Sequence, residues 1–191
     1  YEYSSDSWTQ LGSDIDGEIA GDKSGESVSM NAAGDRVAIG AGFNDGSGAD
    51  AGHVRIYEYS SDSWTQLGSD IDGEAANDNS GQSVSMNDAG TRVAIGAINN
   101  VGKGASAGHV RIYEYSSNTW IQLGLDIDGE IAGDKSGESV SMNAAGDRVA
   151  IGAGFNDGSG ADAGHVRIYE YSSDSWTQLG SDIDGEAAND N

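Results

Sequence analysis

The chain contains no cysteine and no proline. Without thiols it can form no disulfide, no thiolate nucleophile and no Cys-ligated zinc site. No apolar run approaches the ~18–20 residues of a membrane helix, so membrane insertion is not expected. Basic residues are few: 9 Lys and Arg stand against 32 Asp and Glu, a formal charge of −23. A surface of that sign repels phosphate, which excludes nucleic acid as an expected partner. Large aliphatics are also scarce. Leu, Ile, Val and Phe contribute 5, 14, 10 and 2 of the 191 residues, a proportion that with high charge usually means disorder. Two features argue the other way. The 4 Trp and 8 Tyr recur at fixed spacing, and 30 glycines punctuate β-type runs as turn residues do. The expected class is all-β. The chain opens at Tyr1 without a leader and reads as a mature piece or a window of a longer polypeptide.

What is present above all is a repeat. Tyr1-Glu2-Tyr3-Ser4-Ser5 returns at Tyr57, Tyr113 and Tyr169, a period of 56 residues. Residues 1–56 and 113–168 differ only at Asp6/Asn118, Ser7/Thr119, Thr9/Ile121 and Ser13/Leu125, and residues 169–191 repeat 57–79 unchanged. Two repeat types therefore alternate. One carries Ile19-Ala20-Gly21-Asp22-Lys23, the other Ala75-Ala76-Asn77-Asp78-Asn79.

Each period holds four strand-like runs with period-two alternation, bounded by Gly, Ser, Asn and Asp. They are expected at 26–30, 36–41, 53–59 and 63–68. Four strands in a period of this length are the unit of a β-propeller blade. The expected architecture is a β-propeller-type tandem repeat of four-stranded antiparallel blades. Residues 1–23 supply the last strand (and the end of the third) of a preceding blade, followed by blades 24–79, 80–135 and 136–191. One such sheet has too little apolar area to stand alone. Val37, Ile39, Val54, Ile56 and Trp64 are expected to bury against neighbouring blades, and Ala38, Gly40 and Ala41 suit a crowded inner strand. Three blades do not close a ring, so the partners expected are copies of the chain or further blades of the same chain.

The segments Gly25-Glu26-Ser27-Val28-Ser29-Met30, Gly34-Asp35-Arg36-Val37-Ala38-Ile39-Gly40-Ala41 and Gly52-His53-Val54-Arg55-Ile56-Tyr57, with their later copies, resemble the FG-GAP repeats. Those repeats build the propellers of integrin α-subunits and many microbial surface proteins. The resemblance implies an extracellular or cell-surface adhesion or structural module rather than an enzyme. One departure matters. The loop in which FG-GAP blades often hold calcium is here Asn31-Ala32-Ala33-Gly34-Asp35, short and poor in oxygen ligands, so that site does not carry over.

Two other loops are candidates for a hard cation, with Ca2+ the ion considered. The first is Asp14-Ile15-Asp16-Gly17-Glu18, repeated as Asp70/Asp72/Glu74, Asp126/Asp128/Glu130 and Asp182/Asp184/Glu186, with Asp22 just beyond the first copy. Carboxylates two apart in an extended chain share a side, and calcium takes 6–8 oxygens. The plainer reading is a solvated acidic turn, or Asp side chains capping backbone N–H groups. The second loop, Asn44 to Asp50, loses both aspartates in the middle repeat and gains Lys103, which argues against a shared cation role. His53, His109 and His165 recur once per repeat and read as packing or hydrogen-bonding positions. Trp8, Trp64, Trp120 and Trp176 could stack on glycans, though their fixed place favours packing between blades. The expected function is a non-enzymatic structural or adhesive scaffold able to build a filament. The alternative is a calcium-dependent or carbohydrate-binding module.

Overall fold

Alternation of Ser, Val and Ile with small residues folds each repeat into one antiparallel sheet. A computed structural model describes residues 1–188; positions 189–191 of the last expected unit lie outside the described residues. A hairpin of β1 (Glu2–Ser4) and β2 (Ser7–Thr9) comes first. Sheet 1 then contains β3 (Ser27–Met30), β4 (Arg36–Ala41), β5 (His53–Ser60), β6 (Ser63–Gln66) and β7 (Ile71–Asp72). Sheet 2 holds β8 (Ser80–Met86), β9 (Arg92–Ala97), β10 (His109–Ser116), β11 (Thr119–Gln122) and β12 (Ile127–Asp128). Sheet 3 holds β13 (Ser139–Met142), β14 (Arg148–Ala153), β15 (His165–Ser172), β16 (Ser175–Gln178) and β17 (Ile183–Asp184). No helix occurs among the described residues. In every sheet four strands pair in sequence order, all antiparallel.

The structure corrects the sequence reading in one respect. The fourth strand ends at Gln66 rather than at 68, and Ile71–Asp72, inside the loop read as a cation candidate, forms a fifth short strand. The cause is the length of β5. β6 reaches only Tyr57 to Ser60, so the edge at His53 and Val54 is left open until β7 returns to pair with it. The hairpin between third and fourth strands is a two-residue turn with both central residues left-handed, Ser61 (φ 51°) and Asp62 (φ 62°) in sheet 1. That geometry matches strand twist and admits Asp or Asn.

The two faces of a sheet differ. In sheet 2, Val84, Met86, Val93, Ile95, Tyr113, Tyr115 and Trp120 meet Ala38, Val54, Ile56, Leu67 and Ile71 of sheet 1 in one cluster. The opposite face, with Ala94, Val110, Ile112, Leu123 and Ile127, meets Val140, Met142, Val149, Ile151, Tyr169 and Trp176 of sheet 3. Both cores thus lie between sheets, and identical residues report whether a neighbour is present. Val84 is 9% exposed and its counterpart Val28 is 62%; Ile127 is 5% exposed and Ile183 is 57%.

Polar contacts sew the same junctions. Ser27 and Ser83 hydroxyls donate to the Gly81 and Gly137 carbonyls, both at 2.6 Å. Ser29 and Ser85 accept from the Met86 and Met142 amides at 2.9 Å. This explains the Ser-Val-Ser-Met alternation: the serine side of one first strand binds the backbone of the next. Trp64, Trp120 and Trp176 each donate an indole N–H to the carbonyl of the preceding repeat's leucine, Leu11, Leu67 and Leu123, at 2.8–3.0 Å.

The alternation of repeat types has a contact behind it as well. Lys23 Nζ sits 3.9 Å above the Phe43 ring, and Lys135 lies 4.2 Å above Phe155. In the other type the equivalent pair is Asn79 and Asn99, joined by a side-chain hydrogen bond. Residues 20 apart therefore change together, across the boundary between one sheet and the next.

Candidate functional site

His53 opens β5 in register with Asp72 of β7. That pairing brings Asp70, two residues earlier, to the imidazole: Oδ2 lies 3.8 Å from Nδ1. Glu18 arrives from the preceding repeat with Oε2 at 3.9 Å. The arrangement recurs as Glu74, His109 and Asp126 and as Glu130, His165 and Asp182, with all ligand atoms of a triad within 4.8 Å of one another. Each triad straddles the junction between consecutive repeats.

The acidic motif therefore splits. Its first Asp joins the histidine of its own repeat, while its Glu joins the histidine of the next one. Asp14 is held by the Gln10 amide, and Asp16 gives its backbone carbonyl to Arg55 Nη2 at 2.8 Å. Asp72 and Asp184 lie exposed in β7 and β17. Asp128 gives its carbonyl to Arg167 and stands 3.9 Å from Lys103 Nζ. Glu186 is exposed. Asp22, the remaining carboxylate of the first motif, is buried and accepts from the Ile19 amide and the Asn44 side chain. Its copies Asp78 and Asp134 cap the Ala75 and Ile131 amides in the same way.

Further residues orient the triads. Gln66, Gln122 and Gln178 donate to Oδ1 of Asp70, Asp126 and Asp182, which leaves each Oδ2 turned to the imidazole. Arg55 and Arg167 stand 3.7 and 3.6 Å from Oε1 of Glu18 and Glu130, leaving Oε2 toward the histidine. The histidines are almost fully buried. Nδ1 and Nε2 of His165 have no hydrogen-bond partner. Burial, helped by neighbouring Arg111, lowers the His109 pKa from its ordinary value against the pull of Asp126, Glu74 and Asp78. At the His109 junction, where burial favours the neutral imidazole, Glu74, Asp126 and the Arg111 guanidinium leave one net negative charge. The histidines, which the sequence presents as packing or hydrogen-bonding positions, are buried beside two carboxylates each. The sequence signal for this is the constant offset of 17 residues from His53 to Asp70 in each copy, but only strand register shows that it is a contact.

A cleft of about 390 Å³ adjoins the second triad through Asp126, where Leu125 and Ile127 face Tyr169 and Trp176, with Asp128 also on its wall. Leu125 replaces the serine found at the other copies, Ser13, Ser69 and Ser181.

These features define an all-β, propeller-like fold built from antiparallel sheets. No protein-family model matches the sequence, and no curated protein matches it. Among solved structures, the chain is similar to a putative 6-phosphogluconolactonase from Bacteroides uniformis, with TM-score 0.55 and 9% identity over 82% of this chain and 40% of that one. It is similar also to Kuenenia stuttgartiensis hydrazine synthase, with TM-score 0.51 and 8% identity over 90% of this chain and 42% of that one. The chain thus spans about two fifths of either neighbour. Both neighbours carry the names of enzymes, but at such identities the likeness shows the fold alone.

Proposed function

We propose that this chain is a stretch of β-propeller-type blades, akin to FG-GAP repeats, acting as a non-enzymatic structural or adhesive scaffold outside the cell. One observation carries the reading: the apolar cores lie between sheets, and the two terminal sheets expose the residues that are buried at the internal junctions. A further unit of the same repeat is the complementary occupant of either end face, because the internal junctions are built from the same residues. Unit added to unit in this way ends in a ring where the rotation between units closes and grows into a filament or surface array where it does not.

The test is to append a copy of residues 80–135 after residue 191 and follow thermal unfolding. Covering Val166 and Ile183 should raise the midpoint by at least about 5 °C. The chain should also self-associate through its end faces in sedimentation velocity, and Val28→Asp with Ile183→Asp, which place charges on those faces, should abolish that association. An added unit that leaves the midpoint where it was would refute the scaffold reading.

The second reading, a carbohydrate-binding or calcium-dependent module, is favoured by the Trp176–Tyr169–Leu125 cleft with its aspartates. Binding on a glycan array that is lost in Trp176→Ala but kept in Trp64→Ala would select it.

A further inference from the structure

We propose that each junction binds one divalent transition-metal ion of the zinc class, held by Glu18, His53 and Asp70 and by the two equivalent triads, so that the ion ties consecutive repeats together. Three observations carry this. The donor atoms converge in every triad, and at His165 they are free: Nδ1 is buried without a partner and lies 3.9 Å from Glu130 Oε2 and 3.7 Å from Asp182 Oδ2. Those separations are too long for hydrogen bonds. Zinc bonds of about 2.0–2.2 Å in a tetrahedron set donors roughly 3.3–3.6 Å apart, so the two imidazole-to-carboxylate separations need contract by only a few tenths of an ångström, and all three donors already lie within 4.8 Å of one another.

The second observation is how the donors are held. The glutamines fix one oxygen of each Asp, and Arg55 and Arg167 stand beside one oxygen of the glutamates they face. Such partners are what orient the ligands of a metal centre. The third is the donor chemistry. One imidazole nitrogen and two carboxylate oxygens suit Zn2+, Co2+ or Ni2+, whereas Ca2+ wants 6–8 oxygens. The half-exposed glutamates leave a way in from solvent, and a water completes the fourth position. Because the Glu comes from one repeat and the His and Asp from the next, the ion bridges the junction.

Isothermal titration of the full chain with Zn2+, in 150 mM salt and millimolar Mg2+, tests this. We expect about three equivalents, one per triad, and a visible Co2+ spectrum of four-coordinate type. The double variant Glu74→Gln, Glu130→Gln alters two half-exposed side chains and should retain about one equivalent with an unchanged circular dichroism spectrum. Gln122→Ala should weaken one site about 10–100-fold. No saturable Zn2+ uptake, an unchanged stoichiometry in the double variant, or equal displacement by Ca2+ would each overturn the proposal, leaving the triads as ion-pair contacts only.

Discussion

Trp120→Ala should destabilise the protein by about 3–5 kcal/mol, while Trp8→Ala should cost less than about 1 kcal/mol. The two tryptophans occupy the same repeat position and make the same cross-strand pair, with Tyr115 at 5.1 Å and Tyr3 at 5.2 Å. They differ in what lies beyond. Trp120 is 9% exposed, packs into the core between sheets 1 and 2, and donates to the Leu67 carbonyl. Trp8 is 68% exposed. Removing the buried indole opens a cavity and orphans a carbonyl, whereas removing the exposed one forfeits a single ring contact. Urea unfolding of both variants measures the contrast. Equal losses would mean that stability resides within sheets rather than between them. Ile127→Ala and Ile183→Ala form a second such pair.

Gly96→Ala is the other change of large expected effect, about 3 kcal/mol or loss of the folded state, against less than about 1 kcal/mol for Gly152→Ala. Both glycines sit in the second strand of a sheet in the sequence Ala-Ile-Gly-Ala. A Cβ on Gly96 would collide with the Gly137 carbonyl, which is backbone of the next sheet and cannot move aside, as well as with Ser83 Oγ. On Gly152 it would meet only Ser139 Oγ, which can rotate away. The requirement for glycine therefore comes from the next repeat, not from the strand itself. Differential scanning calorimetry of the two variants distinguishes this from an intrinsic strand preference, under which both would respond alike.

The all-β class and the second strand at 36–41 were legible because alternation and turn residues are local properties. The 56-residue period made the recurrence of an antiparallel four-strand sheet legible too, since each copy had to fold alike. What escaped was whatever depends on register. The strand at Ile71–Asp72 exists only because β5 is longer than β6, a fact of pairing rather than of composition. In the same way, Asp14, Asp16 and Glu18 look like one cluster along the chain, yet Asp16 turns its carbonyl to Arg55 while Glu18 crosses to His53. Carboxylates adjacent in the chain read as one site, whereas the fold distributes them to different junctions. Ser27 and Ser29 had no visible role until the next sheet's backbone appeared opposite them.

The Lys23–Phe43, Asn79–Asn99 and Lys135–Phe155 pairs give every seam a lock and its key. A unit ending in Asn79 is matched by a successor carrying Asn99, and one ending in Lys135 by a successor carrying Phe155. Unit order is thereby written into the loops. Transposing two neighbours would set an amide under a phenyl ring at one seam and strand an ammonium at another, so an insertion within the array keeps its seams matched only as whole couplets of 112 residues, whereas an end accepts one unit of the matching kind.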